Sequence, residues 1–285
     1  KYALCMNRNF INCAIITIMR DFSIKSTITF KVYRYIISMI EEFVSTVGNI
    51  VIYGKELFSL FFKLEFDKKA IIEQCARFGV SSLPITLSIV GMTSIIVSMQ
   101  VAGEMVKQGA GNYVGMLVTM LLVREAGVIM SGFAIIFMIG SSMASEIATM
   151  RVTEQIDAIQ VAKVNPIRYL FVPRVVSGVL MMPPVLVVAT LVGVIGGGVA
   201  AHLASGLSYR AYFESVWSGL YMKDMNVALL KAIVFGFTIA LISCVCGYTA
   251  KGGARGVGVA TTKSVVWSFV AIVLWDLLFS IVFFF

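Results

Sequence analysis

Three stretches of this chain contain no charged residue: Phe78 to Gly103, Val175 to Tyr209 and Ala232 to Ala250. Ser264 to Phe285 contains only Asp276, and between Lys107 and Glu146 the only charges are Arg124 and Glu125. A bilayer's hydrocarbon layer is about 30 Å thick and is crossed by roughly 20 apolar helical residues. All five stretches approach or exceed that length. Inside the layer, backbone polar groups must be satisfied within the protein, which leaves helices or closed barrels. Weak alternation and frequent glycine argue against a barrel. The chain therefore reads as an all-α polytopic membrane protein. Charged residues make up only 13% of it, against about 25% in soluble domains.

The apolar pattern places five transmembrane helices at 79–105, 112–142, 169–204, 225–250 and 259–284. The second and third exceed what a bilayer requires and must tilt, kink or protrude. Pro183-Pro184 is expected to break the third, with Gly193, Gly196, Gly197 and Gly198 softening it further. Ahead of the spans, Ile36, Ile40, Phe43, Val47, Ile50, Val51, Leu57 and Phe61 recur near helical spacing with acids and a lysine between them. That pattern predicts an N-terminal interfacial amphipathic helix over 36–64. Residues 1–35 form an N-terminal extension without a cleavable signal pattern, and no structure is assigned to it. Basic residues favour the linkers 143–168 and 251–258 and the segment before the first span, which places them in the cytoplasm.

The net charge of +8 fits basic cytoplasmic loops better than nucleic-acid binding. The five cysteines lack zinc-ligand spacing, and Cys244 and Cys246 point to different faces of an apolar helix. His202 stands alone. No nucleophile–base pair or metal cluster emerges, so the chain reads as a non-enzyme.

Ionisable groups at membrane depth are functional candidates, since even modest scales assign about 2.5–3.5 kcal/mol to a charge at a helix centre. Lys231 and Lys263 lie near span ends and are expected to snorkel. Asp276 is deeper and reads as a hydrogen-bond anchor between helices. Arg124 and Glu125 are sequence neighbours, which do not face each other on a helix. Each requires another partner: Lys263, a second copy of the chain, water or a ligand headgroup.

The longest polar stretch between spans, SEIATMRVTEQIDAIQVAKVNP, carries Val152, Ile156 and Ile159 on one stripe and ends at Asn165-Pro166. The spacing predicts a cytoplasmic helix over 145–163, either a plain linker or a docking element. Together with REAGVIMSGF and GYTAKGGARGVGVATTKSVV, this run resembles the MlaE/YrbE permeases, membrane subunits of bacterial ABC transporters that move lipids with MCE-domain partners. The resemblance covers residues 36–285.

The resemblance implies a homodimeric permease domain over 36–285 whose 145–163 segment is a coupling helix seated in a separate cytoplasmic ABC ATPase. Glu146, Arg151, Glu154, Gln155 and Asp157 are then its contact candidates. ATP and Mg would belong to that ATPase, because GGARGVG lacks the lysine of a phosphate loop. This chain would carry no cofactor of its own. By the same resemblance, Arg124 and Glu125 border a lipid cavity near the dimer axis, and Lys263 is a further lipid-binding candidate. Val97, Met99, Gln100, Leu117 and Leu121 are candidate wall positions. The implied cargo is a phospholipid, with a sterol, fatty acid or other apolar molecule as the alternative, or a scaffold role in an MCE assembly. The implied location is the bacterial inner membrane, with the plastid inner envelope as the alternative. Two departures stand out: Met138 occupies a position where the family often has arginine, and Lys263 replaces another arginine, keeping the charge but losing the bidentate fork.

Overall fold

The computed structural model describes residues 44–57 and 68–284, together with Ile37 and Glu41. The extension at 1–35 and parts of the expected 36–64 helix lie outside these residues. Of that helix, residues 44–57 (α1) are helical. The helices that follow are α2 (Lys68–Lys107), α3 (Gly111–Val152), α4 (Gln155–Val161), α5 (Pro166–Ser205), α6 (Tyr209–Gly219), α7 (Met222–Tyr248) and α8 (Gly253–Phe284). Five of them, α2, α3, α5, α7 and α8, are long and apolar enough to cross a membrane. Among the described residues there is no strand.

The spans start and stop where local chemistry dictates. Asn165 caps α5 by accepting from the backbone N–H of Ile167 at 2.9 Å and of Arg168 at 3.4 Å. Pro166 then occupies the first helical turn, where its missing donor costs nothing. Contrary to expectation, Pro183-Pro184 does not break α5, which remains one helix through Pro173, Pro183 and Pro184. Intramembrane helices tolerate proline because packed neighbours hold the element together. The 145–163 segment differs as well. It is not one helix: α3 runs on to Val152, and a turn at Thr153-Glu154 precedes α4. Glu154 sits in the left-handed region at φ 61°, where a side chain is sterically disfavoured. No glycine or proline marks this break, so periodicity alone cannot find it.

Helices in lipid gain little from apolar burial against one another, so close approach and interhelical hydrogen bonds decide their packing. α2 and α5 form the most extensive pair. Along α2, Ser82, Thr86, Val90, Ser94, Ser98 and Ala102 recur every fourth residue and are all buried. Ser94 donates to the Gly193 carbonyl at 2.5 Å and Ser98 to that of Gly197 at 2.6 Å. α5 and α7 cross at Gly178 and Gly236, where a Cβ on Gly178 would come within 2.7 Å of the Gly236 oxygen. α7 meets α3 at Gly247, where a Cβ would lie 2.7 Å from the Ala144 carbonyl. Around these crossings Phe171, Met182, Phe235 and Ile239 fill the main core, joined by Ile50, Tyr53 and Leu57 of α1.

A smaller core holds Val114, Val118, Leu122, Ala201, Tyr212 and Val216 where α3, α5 and the short α6 meet. Burial pushes the Tyr212 phenol up to about 12, and its hydroxyl donates to the Val194 carbonyl at 3.2 Å. On the outside, Met92 and Ile96 of α2 and Leu274, Leu277 and Val282 of α8 are more than half exposed, as lipid-facing side chains would be.

Gly236→Val should overpack the α5–α7 crossing and cost about 1–3 kcal/mol or more. Gly91→Ala, which meets nothing within 4 Å, should be neutral or slightly stabilising. Melting temperatures of the two variants in detergent check this: equal melting points would mean that the crossing does not limit stability.

Candidate functional site

Arg124 and Glu125 lie in a π-helical turn of α3, Leu122–Ala126, closed by the Gly127 N–H donating to the Leu122 carbonyl. Such turns insert a residue into an α-helix and recur at functional positions. A second one, Ile136–Gly140, contains Met138. As the helical geometry requires, the two charges diverge to separate partners. Arg124 donates from Nε to Asp224 of α7 at 2.7 Å, and its guanidinium carbon stands 4.7 Å from the Phe284 ring centroid. Glu125 accepts from Ser280 of α8 at 2.6 Å and from Lys231 of α7 at 3.2 Å.

Lys231 is the centre of this cluster. Its side chain is fully buried, so it does not snorkel as its place near a span end suggests. The ammonium lies 2.8 Å from Asp276, 2.9 Å from the Arg124 carbonyl and 3.2 Å from Ser280. An unpaired ammonium here would carry a desolvation penalty of several kcal/mol, which the surrounding acceptors offset. Asp276 is thereby an interhelical anchor, as its depth suggests. The cluster joins α3, α7 and α8. Three carboxyl groups face two cations, so it is neutral only when a proton or a further cationic group joins it.

Beside the cluster, a groove of about 480 Å³ runs between the end of α2 and the start of α3. Its walls include Gln100, Val101, Met105, Leu117, Met120 and Leu121, and Arg124 and Glu125 lie at one end. Glu104 also lines it and is paired with Lys107 at 3.0 Å. Of the expected residues, Arg124, Glu125, Gln100, Leu117 and Leu121 thus converge. Val97 and Met99 are not among the lining residues. Lys263 is not beside Arg124 or Glu125; it lines a separate cavity with Lys251 and Arg255. It lies too far toward the start of α8 to reach them, with about 20 Å of helix separating it from Asp276.

The expected docking residues divide in a similar way. Glu154, Gln155 and Asp157 are exposed on or next to α4, as are Val161 at 84% and Val164 at 46%, an apolar edge suited to a partner. Glu146 is instead tied to two other spans. Arg77 of α2 holds it at 3.2 Å and Arg174 of α5 at 3.0 Å. Arg151 is bound to Asp157 at 2.6 Å and lies over the Tyr248 ring.

Asp224, Lys231, Ser280 and Arg174 were not singled out from the sequence as members of these networks. A usable signal existed. Asp224 and Lys231 are seven residues apart on α7, and Asp276 and Ser280 are four apart on α8, spacings that place each pair on one helix face.

The model of the family described as Permease MlaE matches residues 71–282. A protein from Rickettsia prowazekii named as a probable ABC transporter permease is 34% identical over 243 residues, covering 85% of this chain and 94% of its own length. One from Synechocystis with the same description is 36% identical over 206 residues, covering 72% of this chain and 78% of its own. A third, from Pyropia yezoensis, is 35% identical and covers 73% and 81%.

Lys231→Met should destabilise the fold by about 3–5 kcal/mol, because Glu125 and Asp276 would keep their burial without their cation. Combining it with Asp276→Leu should recover a good part of that loss. A double-mutant cycle on unfolding in detergent reads the coupling, and strictly additive losses would argue against a shared ion cluster.

Proposed function

The chain belongs to the MlaE permease family, and on that premise we propose that it moves lipid, phospholipid first, as the membrane subunit of an ATP-driven transporter. The observation that carries this reading is the groove between α2 and α3. Its hydrocarbon walls suit an acyl chain and its end at Arg124 suits a phosphate. The bond to Asp224 uses the Nε–H of Arg124, while a guanidinium has four further N–H donors. The side chain is 27% exposed, enough to be met from the groove.

The proposal includes a second copy of the chain, closing the open side of the groove. The ATPase is proposed to seat on α4 through Glu154, Gln155, Asp157 and the exposed Val161, with ATP and Mg bound in that partner. An MCE-domain protein is proposed to receive or deliver the lipid on the opposite side. The proposed setting is the bacterial inner membrane.

Leu121→Trp should fill the groove, and Arg124→Ala should remove the headgroup donor. Lipid retained by the purified protein, read by mass spectrometry, should fall several-fold in both, with the melting point held in Leu121→Trp and lowered in Arg124→Ala, which leaves Asp224 buried without its cation. Unchanged lipid content and transport in a folded Arg124→Ala protein would make that residue purely structural. Separately, Glu154→Lys with Asp157→Lys should abolish ATPase association or uncouple hydrolysis from transport. Lipid movement at the original rate in that variant would remove α4 from the coupling role.

A further inference from the structure

The short helix α6 presents three different faces. Residues in a helix follow one another at about 100°, so positions four apart fall on one stripe. Tyr212, Ser215, Val216 and Gly219 are buried. This face packs closely on α3, where a Cβ on Gly219 would come within 2.9 Å of the Met116 backbone. Next to it, Tyr209, Phe213 and Trp217 form an exposed aromatic stripe, with Trp217 78% exposed. Beyond that, Arg210, Glu214 and Ser218 form an exposed polar stripe, and Arg210 donates from Nε to Glu214 at 2.9 Å. A helix between a protein body and water needs only a buried face and a polar one. The aromatic stripe between them calls for a third, apolar surrounding.

Helix lengths fix the depth of α6. It ends at Gly219, just before α7 starts at Met222. The 27 residues of α7 span about 40 Å, close to the roughly 40–45 Å of a bilayer with its headgroup layers. The start of α7 therefore lies at a headgroup layer. Along α5, the Tyr212 hydroxyl reaches the Val194 carbonyl, and a Cβ on Gly198 would lie 3.5 Å from the Phe213 ring. Both points fall about 10–16 Å before the end of α5 at Ser205, so α6 lies beside the spans and not beyond them. The basic loops put this end opposite the cytoplasm. Tyr209 stands 4.3 Å from His202 between ring centroids, on the stretch of α5 where Ile195, Val199 and Leu203 are exposed. The aromatic stripe thus continues the exposed apolar side of a span. Tyr113 at the start of α3 and Tyr221 just past α6 are exposed as well, and tyrosine and tryptophan concentrate at the headgroup level of membrane proteins. We propose that α6 docks into the membrane interface on the non-cytoplasmic side, with Tyr209, Phe213 and Trp217 among the upper acyl carbons and Arg210, Glu214 and Ser218 in water. Lipid suits this face better than a docked protein, because the Arg210–Glu214 pair neutralises itself and leaves no charge for a partner to read. Through its contacts with Met116 and Val194, the helix ties that leaflet to α3 and α5.

The test uses the full chain with Trp267→Phe and Trp275→Phe, which leaves Trp217 as its one tryptophan. It is reconstituted in phosphatidylcholine vesicles brominated at a shallow, a middle or a deep acyl position. Trp217 emission should lie to the blue of tryptophan in water. Shallow bromine should quench it about twofold more than deep bromine, as a depth of roughly 5–10 Å at the boundary of headgroups and acyl chains requires. Aqueous iodide should quench it several-fold less than free tryptophan. Should the double variant fold poorly, the difference between the unaltered chain and the exposed Trp217→Phe variant reads the same signal. Water-like emission with full iodide quenching would mean a solvated face and overturn the proposal. Shielding from iodide and from every bromine would mean that a second copy of the chain or a bound protein covers the stripe, and would overturn it too. Strongest quenching by deep bromine would place α6 inside the hydrocarbon and remove the interfacial assignment.

Discussion

A lysine buried to zero exposure in an apolar bundle dictates what must surround it. Lys231 requires anionic or carbonyl oxygens from several directions, and they arrive from α3 and α8: the Arg124 carbonyl, Glu125, Asp276 and Ser280. This fixes the axial register of three spans at once. A shift of α8 by one turn, about 5.4 Å, would carry Asp276 out of reach and leave an uncompensated charge. The glycine and serine crossings have less say in register, because a four-residue repeat of small residues is nearly self-similar under a one-turn slide. Small residues let the helices of this bundle approach, and the ion cluster selects which approach is used.

The five spans could be read from the sequence because charge exclusion from hydrocarbon is a local property of each segment. The partners of Arg124 and Glu125 could not, because they depend on which faces of α7 and α8 meet α3. Asp224 reads as a loop acid next to the start of a span, yet α7 begins at Met222 and brings it within 2.7 Å of Arg124. Lys231 reads as a snorkelling residue near a span end, since its own span does not tell which helix covers it. Lys263 was expected beside Arg124 on the strength of its charge, and the length of α8 between Lys263 and Asp276 prevents it. Gln100, Leu117 and Leu121 line the groove with Arg124, the two leucines because they share its face of α3. Val97 and Met99 do not line it. The break at Glu154 was illegible for a different reason: a left-handed glutamate has no compositional signature.

Glu146 organises the opposite end of α3 by related chemistry. It receives Arg77 from α2 and Arg174 from α5, the latter almost fully buried, a few residues before the turn into α4. Asn165-Pro166 sets the start of α5 immediately after α4, so α4 is bounded by two elements that are both fastened to Glu146. Thr153-Glu154 therefore acts as a narrow joint on a braced base. Under the proposed function, force applied to α4 would pass into α3 and α5 together rather than dissipating in a free loop.

α3 is the one element that carries both charged centres, with about 30 Å of helix between Glu125 and Glu146. Its two π-helical turns, Leu122–Ala126 and Ile136–Gly140, lie in that path. A π turn closes with a wider hydrogen-bond ring than the α-helix around it, so its conversion to α-helix would rotate one part of α3 against the other. Under the proposed function, movement at α4 reaches the lipid groove through this helix, and the first π turn holds the two residues that would respond. Under the proposed function, such a rotation would change how far the N–H donors of Arg124 that Asp224 leaves unused reach into the groove, while α7 and α8 remain joined through Lys231 and Asp276.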